Sequence, residues 1–266
     1  MSAQPTKVSR ISDRFAKLRA SGQLGFVAYI TAGDPNLDRT LEFALALDEA
    51  GADVLELGVP FSDPLADGVV IQRGVERALR AGTNLAGILA LVKKLRQTSQ
   101  LPVVVFSYLN PILKYGFARF ADDAASAGAD GVLLTDVSVE EATPFVEESR
   151  RVNLDTIFLA APTSTDARLR AIAGHSRGFI YAVSRTGVTG ARQALSSQLL
   201  PLIDRLRAAT DLPIAAGFGI SRPEHMAVLR GKIEAAVVGS ALVQNIEEHN
   251  SPERLAAFVR GLKNGS

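Results

Sequence analysis

Cysteine is absent from the 266 residues, which excludes disulfides, iron–sulfur clusters, thiolate zinc sites and cysteine nucleophiles together. Histidine is nearly as scarce: His175, His225 and His249 are scattered without metal-ligand spacing, a pattern that suits surface or loop roles rather than a metal site. No apolar run approaches the roughly 20 residues that cross a bilayer. The first thirty residues carry Arg10, Asp13, Arg14, Lys17 and Arg19 and form no signal-peptide core. A surplus of one charge is missing too. The 29 basic and 28 acidic residues leave a net +1, so nothing draws the chain to nucleic acid or an anionic membrane. The expectation is a soluble cytoplasmic protein.

What is present is apolar and periodic. At 47% hydrophobic and 21% charged, the chain can bury a substantial core and is not intrinsically disordered. Short runs with almost no polar alternation recur at Phe26–Ile30, Val54–Leu57, Val103–Phe106, Gly131–Leu134, Thr156–Ala160, Phe179–Val183, Ile214–Ala216 and Ala235–Val238; strands covered on both faces read this way. Helical patterns lie between them, as in Leu85, Ile88, Leu89, Val92 and Leu95. An additional helix precedes the first strand, with Val8, Ile11, Phe15 and Leu18 on one side and Gly22 at its end. Alternating strands and helices pair in parallel through right-handed crossovers. An open doubly wound sheet competes with a closed (β/α)8 TIM barrel. Even spacing, a count of eight and the lack of a Gly-rich dinucleotide fingerprint after the first strand favour the barrel. Ala50-Gly51-Ala52-Asp53 and Ala127-Gly128-Ala129-Asp130 read as one helix-to-strand turn used twice. No linker or charge block divides the chain, so residues 1–266 are expected to form a single domain.

Active sites of such barrels lie at the C-terminal ends of the strands. Glu56 stands inside an apolar strand there, where an unpaired carboxyl has a raised pKa and suits general acid catalysis. Asp67 follows on a loop bearing proline and glycine. Equally, Glu56 suits a buried ion pair and Asp67 a turn. Gly217-Phe218-Gly219 after the seventh strand and Gly239-Ser240 after the eighth offer backbone N–H groups and a helix N-terminus to an anion such as a substrate phosphate, or merely serve tight turns. Gly187-Val188-Thr189-Gly190, near Arg185, is a third such loop. No strand ends in the lysine that a Schiff-base aldolase needs, and no serine has a nucleophile-elbow context. Tyr181 lies within the sixth strand, available to the site or to the core.

The stretch Leu55-Glu56-Leu57-Gly58-Val59-Pro60-Phe61-Ser62-Asp63-Pro64-Leu65-Ala66-Asp67-Gly68 closely resembles the signature of the tryptophan synthase alpha chain family. The resemblance continues through Tyr29-Ile30-Thr31-Ala32-Gly33-Asp34-Pro35, Asn110-Pro111-Ile112-Leu113, Ser184-Arg185-Thr186-Gly187-Val188-Thr189-Gly190 and Gly217-Phe218-Gly219-Ile220. It implies a lyase of tryptophan biosynthesis that splits indole-3-glycerol phosphate into indole and glyceraldehyde 3-phosphate without a cofactor. By the same resemblance Glu56 is the catalytic acid and base, and Asp67 the carboxylate facing the indole N–H. Tyr181 lies beside the glycerol moiety, and Gly190, Phe218, Gly219, Gly239 and Ser240 receive the phosphate. Phe26, Leu133 and Leu134 are pattern-level candidates for an apolar indole wall. The family's usual partner is a beta chain carrying pyridoxal phosphate, in an α2β2 assembly that passes indole between subunits.

Three positions depart from the family's usual proline: Ala28, Val69-Val70 and Ser138. Each restores a backbone N–H and frees φ, which bears on loop stiffness rather than chemistry. Alternatives are a self-sufficient lyase releasing free indole, a non-catalytic phosphate-ligand binding subunit, and another phosphosugar barrel enzyme.

Overall fold

A computed structural model describes residues 9–183 and 198–265. In chain order its elements are α1 (Arg10–Ser21), β1 (Gly25–Thr31), α2 (Leu37–Glu49), β2 (Val54–Gly58), α3 (Val69–Arg80), α4 (Leu85–Leu95), β3 (Val103–Ser107), α5 (Leu109–Tyr115), α6 (Phe117–Ala127), β4 (Gly131–Leu134), α7 (Thr143–Arg151), β5 (Asp155–Ile157), β6 (Leu159–Ala160), α8 (Asp166–His175), β7 (Ile180–Val183), α9 (Leu200–Ala209), β8 (Ile214–Gly217), α10 (Pro223–Ala227), β9 (Ala235–Val238), α11 (Ser240–His249) and α12 (Pro252–Asn264). The strands pair in parallel in the order β5-β4-β3-β2-β1-β9-β8-β7-β6. No helix among the described residues is long and apolar enough to cross a membrane.

The fifth expected strand differs from its sequence pattern: it is two pieces with Phe158 between them. Asp155–Ile157 pairs with β4 and Leu159–Ala160 with β7. Backbone bonds also tie the first piece and Phe158 to the β7 segment, since the Arg177 N–H donates to the Thr156 carbonyl at 2.8 Å and the Tyr181 N–H to the Phe158 carbonyl at 3.1 Å. One chain segment therefore serves both ends of the sheet and brings the barrel round on itself.

Neighbouring strands in register put their side chains on the same face, and the packing separates the two faces. Val27, Val54, Val104, Leu133, Ile157, Phe179, Ala215, Ala235 and Val237 form an inner cluster. Phe26, Leu55, Leu57, Val103, Val105 and Leu134 belong to the outer layer between strands and helices. The N-terminal helix joins the inner cluster by inserting Ile11, Phe15 and Leu18, with Phe15 against Phe179 at 5.3 Å between ring centroids. Ser9 caps this helix and Gly22 ends it at φ +65°, the left-handed conformation that glycine adopts without a Cβ clash.

Around the same end of the barrel, two buried acids and a partly buried one turn backbone donors and α1 cations into one belt. Asp53 accepts the Phe26 N–H at 2.7 Å and Arg14 at 2.7 Å. Asp130 accepts the Val103 N–H at 2.8 Å and Arg10 at 2.6 Å. Glu234 accepts the Ile214 N–H at 2.7 Å and Arg19 at 3.0 Å. The two matching helix-to-strand turns explain two of these acids: Gly51 at φ +85° and Gly128 at φ +90° each deliver an Asp two residues later. With α1 closing the N-terminal end, the opposite mouth is left for chemistry.

Candidate active site

Tyr29 on β1 is in register with Glu56 on β2, and Phe106 on β3 with Leu133 on β4. These side chains alternate with the outward Ala28, Leu55, Val105 and Val132, so Tyr29, Glu56 and Phe106 point into the barrel. Tyr29 meets Phe106 edge-on at 5.1 Å. Gly58 makes room for the Tyr29 phenol, since a Cβ there would lie 2.3 Å from its oxygen.

Beyond β2 the chain bends back over the mouth. The Leu65 N–H donates to the Asp63 carbonyl at 2.9 Å and the Asp67 N–H to the Pro64 carbonyl at 3.1 Å. Tyr108, just past β3, straps this loop down. Its hydroxyl donates to Asp67 Oδ2 at 3.1 Å and accepts the Ala66 N–H at 2.9 Å, while its ring packs on Phe61 at 5.3 Å. Asp67 thus faces the same cavity as Glu56, a hollow of about 360 Å³ that Tyr29, Phe106, Tyr181, Phe218, Gly219, Gly239 and Ser240 also line.

The two carboxyls sit in different surroundings. Glu56 is fully buried, and neither of its oxygens has a hydrogen-bond partner among the described residues. Desolvation alone pushes its pKa up to about 8, so it is an acid with its proton on at neutral pH. The buried ion pair that the sequence left open is not formed among the described residues. Half-buried Asp67 is raised by burial to about 6, against the opposing pull of the Tyr108 hydroxyl, which favours the carboxylate. Burial and the nearby carboxyls push the Tyr29 and Tyr181 phenols up, so both remain neutral donors.

The far wall is backbone. Gly219, at φ +77°, has no neighbour within 4 Å of where a Cβ would stand. Gly239 opens α11, and no side chain caps that helix. Leu242 and Val243 make the first bonds back to the Gly239 carbonyl, leaving the N–H groups of Ser240 and Ala241 outside the helical ladder. Open amides and the positive end of the helix dipole suit an anion.

The three expected wall residues fall elsewhere. Phe26 faces outward and is buried among the helices, so it is not an indole contact. Leu133 is inward but deeper, in the inner cluster against which Phe106 and Tyr181 pack; it supports the cavity floor and does not line it. Leu134 points to the helix layer. Arg185 and Gly190 lie outside the described residues. Tyr29, Phe106 and Tyr108 are additions that residue type alone did not single out. A tyrosine in an apolar strand reads as core, and only register reveals which face it takes. No group of three or more His, Asp or Glu residues suited to a metal occurs among the described residues.

The chain is similar to known proteins over nearly its whole length. The family model for the tryptophan synthase alpha chain matches residues 15–264. The tryptophan synthase alpha chain of Solibacter usitatus is 53% identical over 262 residues, covering 97% of this chain and 98% of that one. The crystal structure of tryptophan synthase subunit alpha from Legionella pneumophila superposes with a TM-score of 0.90 at 35% identity, covering 97% of this chain and 98% of that one. A chain from the tryptophan synthase a2b2 complex of Pyrococcus furiosus, described for its mutual activation, gives a TM-score of 0.84 at 41% identity over 90% of this chain and 97% of that one. Sequence and architecture thus agree over nearly the whole length, and the chain belongs to the tryptophan synthase alpha chain family.

Proposed function

We propose that the chain cleaves indole-3-glycerol phosphate to indole and glyceraldehyde 3-phosphate by a cofactor-free retro-aldol reaction, with Glu56 and Asp67 as the reacting carboxyls. The obstacle is the leaving group, because an indole C3 carbanion is too basic to depart. Glu56, protonated at neutral pH in its dry site, gives its proton to C3 and creates an indolenine. Positive charge then develops on the ring nitrogen, where the Asp67 carboxylate accepts the N–H. The Glu56 carboxylate next removes the proton of the glycerol hydroxyl attached to the breaking bond. The carbonyl of the aldehyde forms, the C–C bond breaks and its electrons return to the ring. Glu56 ends protonated as it began. The N–H groups at Gly219, Gly239 and Ser240 hold the phosphate, and Tyr181 stands over the glycerol. The observation that carries this reading is the shared cavity in which an unpaired, protonated Glu56 faces an ionisable Asp67 beside an open helix N-terminus.

A beta-chain partner fits the outer rim. Leu65 is 96% exposed, Val69 67% and Leu113 55%, and apolar side chains grouped so near a mouth mark an interaction surface. Asp67 sits between the first two, so a partner covering them also fixes the catalytic loop. Supplying purified chain with indole-3-glycerol phosphate is expected to yield free indole slowly, and faster with the cognate beta chain present. No indole in either mixture overturns the reading. Equal rates in both make the chain a self-sufficient lyase.

The same assignment fixes a pH profile. Glu56 works protonated and loses activity above about 8, whereas Asp67 works ionised and loses it below about 6. Tyr108→Phe removes the O–H that stabilises the Asp67 carboxylate, so the acid limb of kcat is expected to move to higher pH and narrow the bell. An acid limb that stays put or moves down shows that Tyr108 does not tune this carboxyl.

A further inference from the structure

Only Gly68 separates Asp67 from α3, and the helix begins at Val69. The Gln72 side chain also donates to the Asp67 carbonyl at 2.9 Å. The position of α3 therefore bears directly on the Asp67 backbone, while Tyr108 holds its carboxyl from the other side. The helix lies against α11 at close range, because a Cβ on Gly74 would stand 2.9 Å from Asp34 Oδ2 and 3.0 Å from Val243 Cγ1.

Four charged side chains lock that contact. Arg77 binds buried Asp34 through two bonds, Nε to Oδ1 at 2.7 Å and Nη2 to Oδ2 at 2.8 Å. Its remaining nitrogen, Nη1, donates to Glu247 Oε1 at 2.7 Å. Arg73, one turn earlier, spans both Glu247 oxygens, with Nη2 to Oε2 at 2.7 Å and Nε to Oε1 at 2.9 Å. Asp34 belongs to the loop after β1, and Glu247 to α11. Val243 and Glu247 are four residues apart, on one face of α11, and that face meets α3. The N-terminus of the same helix, Gly239-Ser240, has no side-chain cap and is the anion site of the reading above.

We propose that Glu247 is a positioning residue, which acts through Arg73 and Arg77 to tie the catalytic Asp67 loop to the helix that receives the substrate phosphate. The inference rests on the reading of Asp67 and of the α11 anion site given above. A continuous path of contacts runs from the proposed phosphate site along α11 to Glu247, across the two guanidinium groups to α3, and back along α3 to Asp67. Bidentate arginine pairs suit such a strut because their planar geometry fixes orientation as well as distance.

The test is a kcat-against-KM split within a double-mutant cycle. Glu247→Ala is expected to lower kcat by about tenfold or more, since a catalytic group displaced by about 1 Å costs up to about 10²-fold. KM for indole-3-glycerol phosphate should change less than about twofold, because the phosphate donors sit on α11 itself. Glu247→Gln keeps an acceptor oxygen and should fall between the two, and Arg73→Ala should lower kcat in the same direction. In an Asp67→Asn background, Glu247→Ala should add less than about twofold, since the group it positions is already gone. A merely structural role gives equal melting shifts and multiplying losses in both backgrounds. Unchanged kcat in Glu247→Ala, or losses that multiply in the double variant, overturns the inference alone. Full kcat in Asp67→Asn overturns the role of Asp67 and the inference with it.

Discussion

Glu56→Gln is expected to abolish indole formation and to stabilise the fold at neutral and alkaline pH. The amide cannot carry the proton between C3 and the glycerol hydroxyl, and general acid–base catalysis is typically worth about 10²–10⁴-fold. Stability moves the other way because of the same burial. In the folded chain Glu56 keeps its proton up to about 8, while its ordinary value is 4.5. Between those values the unfolded chain binds fewer protons at this position than the folded chain. The linkage slope is therefore negative: this group costs stability as pH rises from 4.5 towards 8, by about 1.4 kcal/mol per pH unit. Gln has no such proton to lose. Urea titrations of both proteins between pH 6 and 8, above the titration of Asp67, should show a slope steeper downward in the wild type than in the variant by about 1.4 kcal/mol per pH unit. A variant with more than about one-tenth of wild-type kcat, or with the wild-type slope intact, contradicts the assignment. A functional carboxyl that weakens its own fold is a recognised trade-off between stability and activity.

Gly239→Asp is expected to raise KM by roughly a hundredfold, equivalent to about 3 kcal/mol of like-charge repulsion against the incoming phosphate, with much less effect on kcat. The backbone tolerates the substitution: Gly239 has φ −120°, and a Cβ would meet Tyr29 Cδ1 at 3.4 Å. The lesion is therefore electrostatic. Gly239→Ala controls for bulk and should cost less than about tenfold in KM. If Ala and Asp act alike, crowding explains the loss and the phosphate lies elsewhere.

The sequence pattern carried the strands and failed on their faces, for one physical reason. Strands covered on both sides lack the polar alternation that tells inward from outward. Phe26 and Tyr29, three residues apart on β1, therefore looked alike as aromatic residues in an apolar run. Pairing register puts Tyr29 beside Glu56 and turns Phe26 to the helices. Glu56 escaped the ambiguity because a carboxyl in such a run is costly on either face, so its presence was informative without knowing its direction. Asp67 was legible as a loop acid, but Tyr108 was not: its bond to Asp67 joins the ends of two different strands. Phe158 illustrates another limit. An apolar run shows that a strand is buried, and it does not show that the first half pairs with one neighbour and the second half with another. Gly219 and Gly239 were legible as strand-end glycines because open backbone and helix starts are local features, and both border the cavity.

The N-terminal helix leaves the ribosome before the other described elements, yet its docking site is assembled from the whole chain. Its cations reach Asp53, Asp130 and Glu234, and Phe15 needs Phe179. Asp53 and Asp130 come from the first half of the sequence and Phe179 and Glu234 from the second, so the full set of partners exists only when strands from both halves have met. Complete docking of the helix therefore waits for the late strands, even though its earliest partners, on β1 to β3, are nearby in sequence. Contacts between such distant positions slow folding and prolong exposure of sticky surface. Docking this stopper is thus a late step of maturation. It seals the floor beneath the reaction chamber only when the strands around it are already closed.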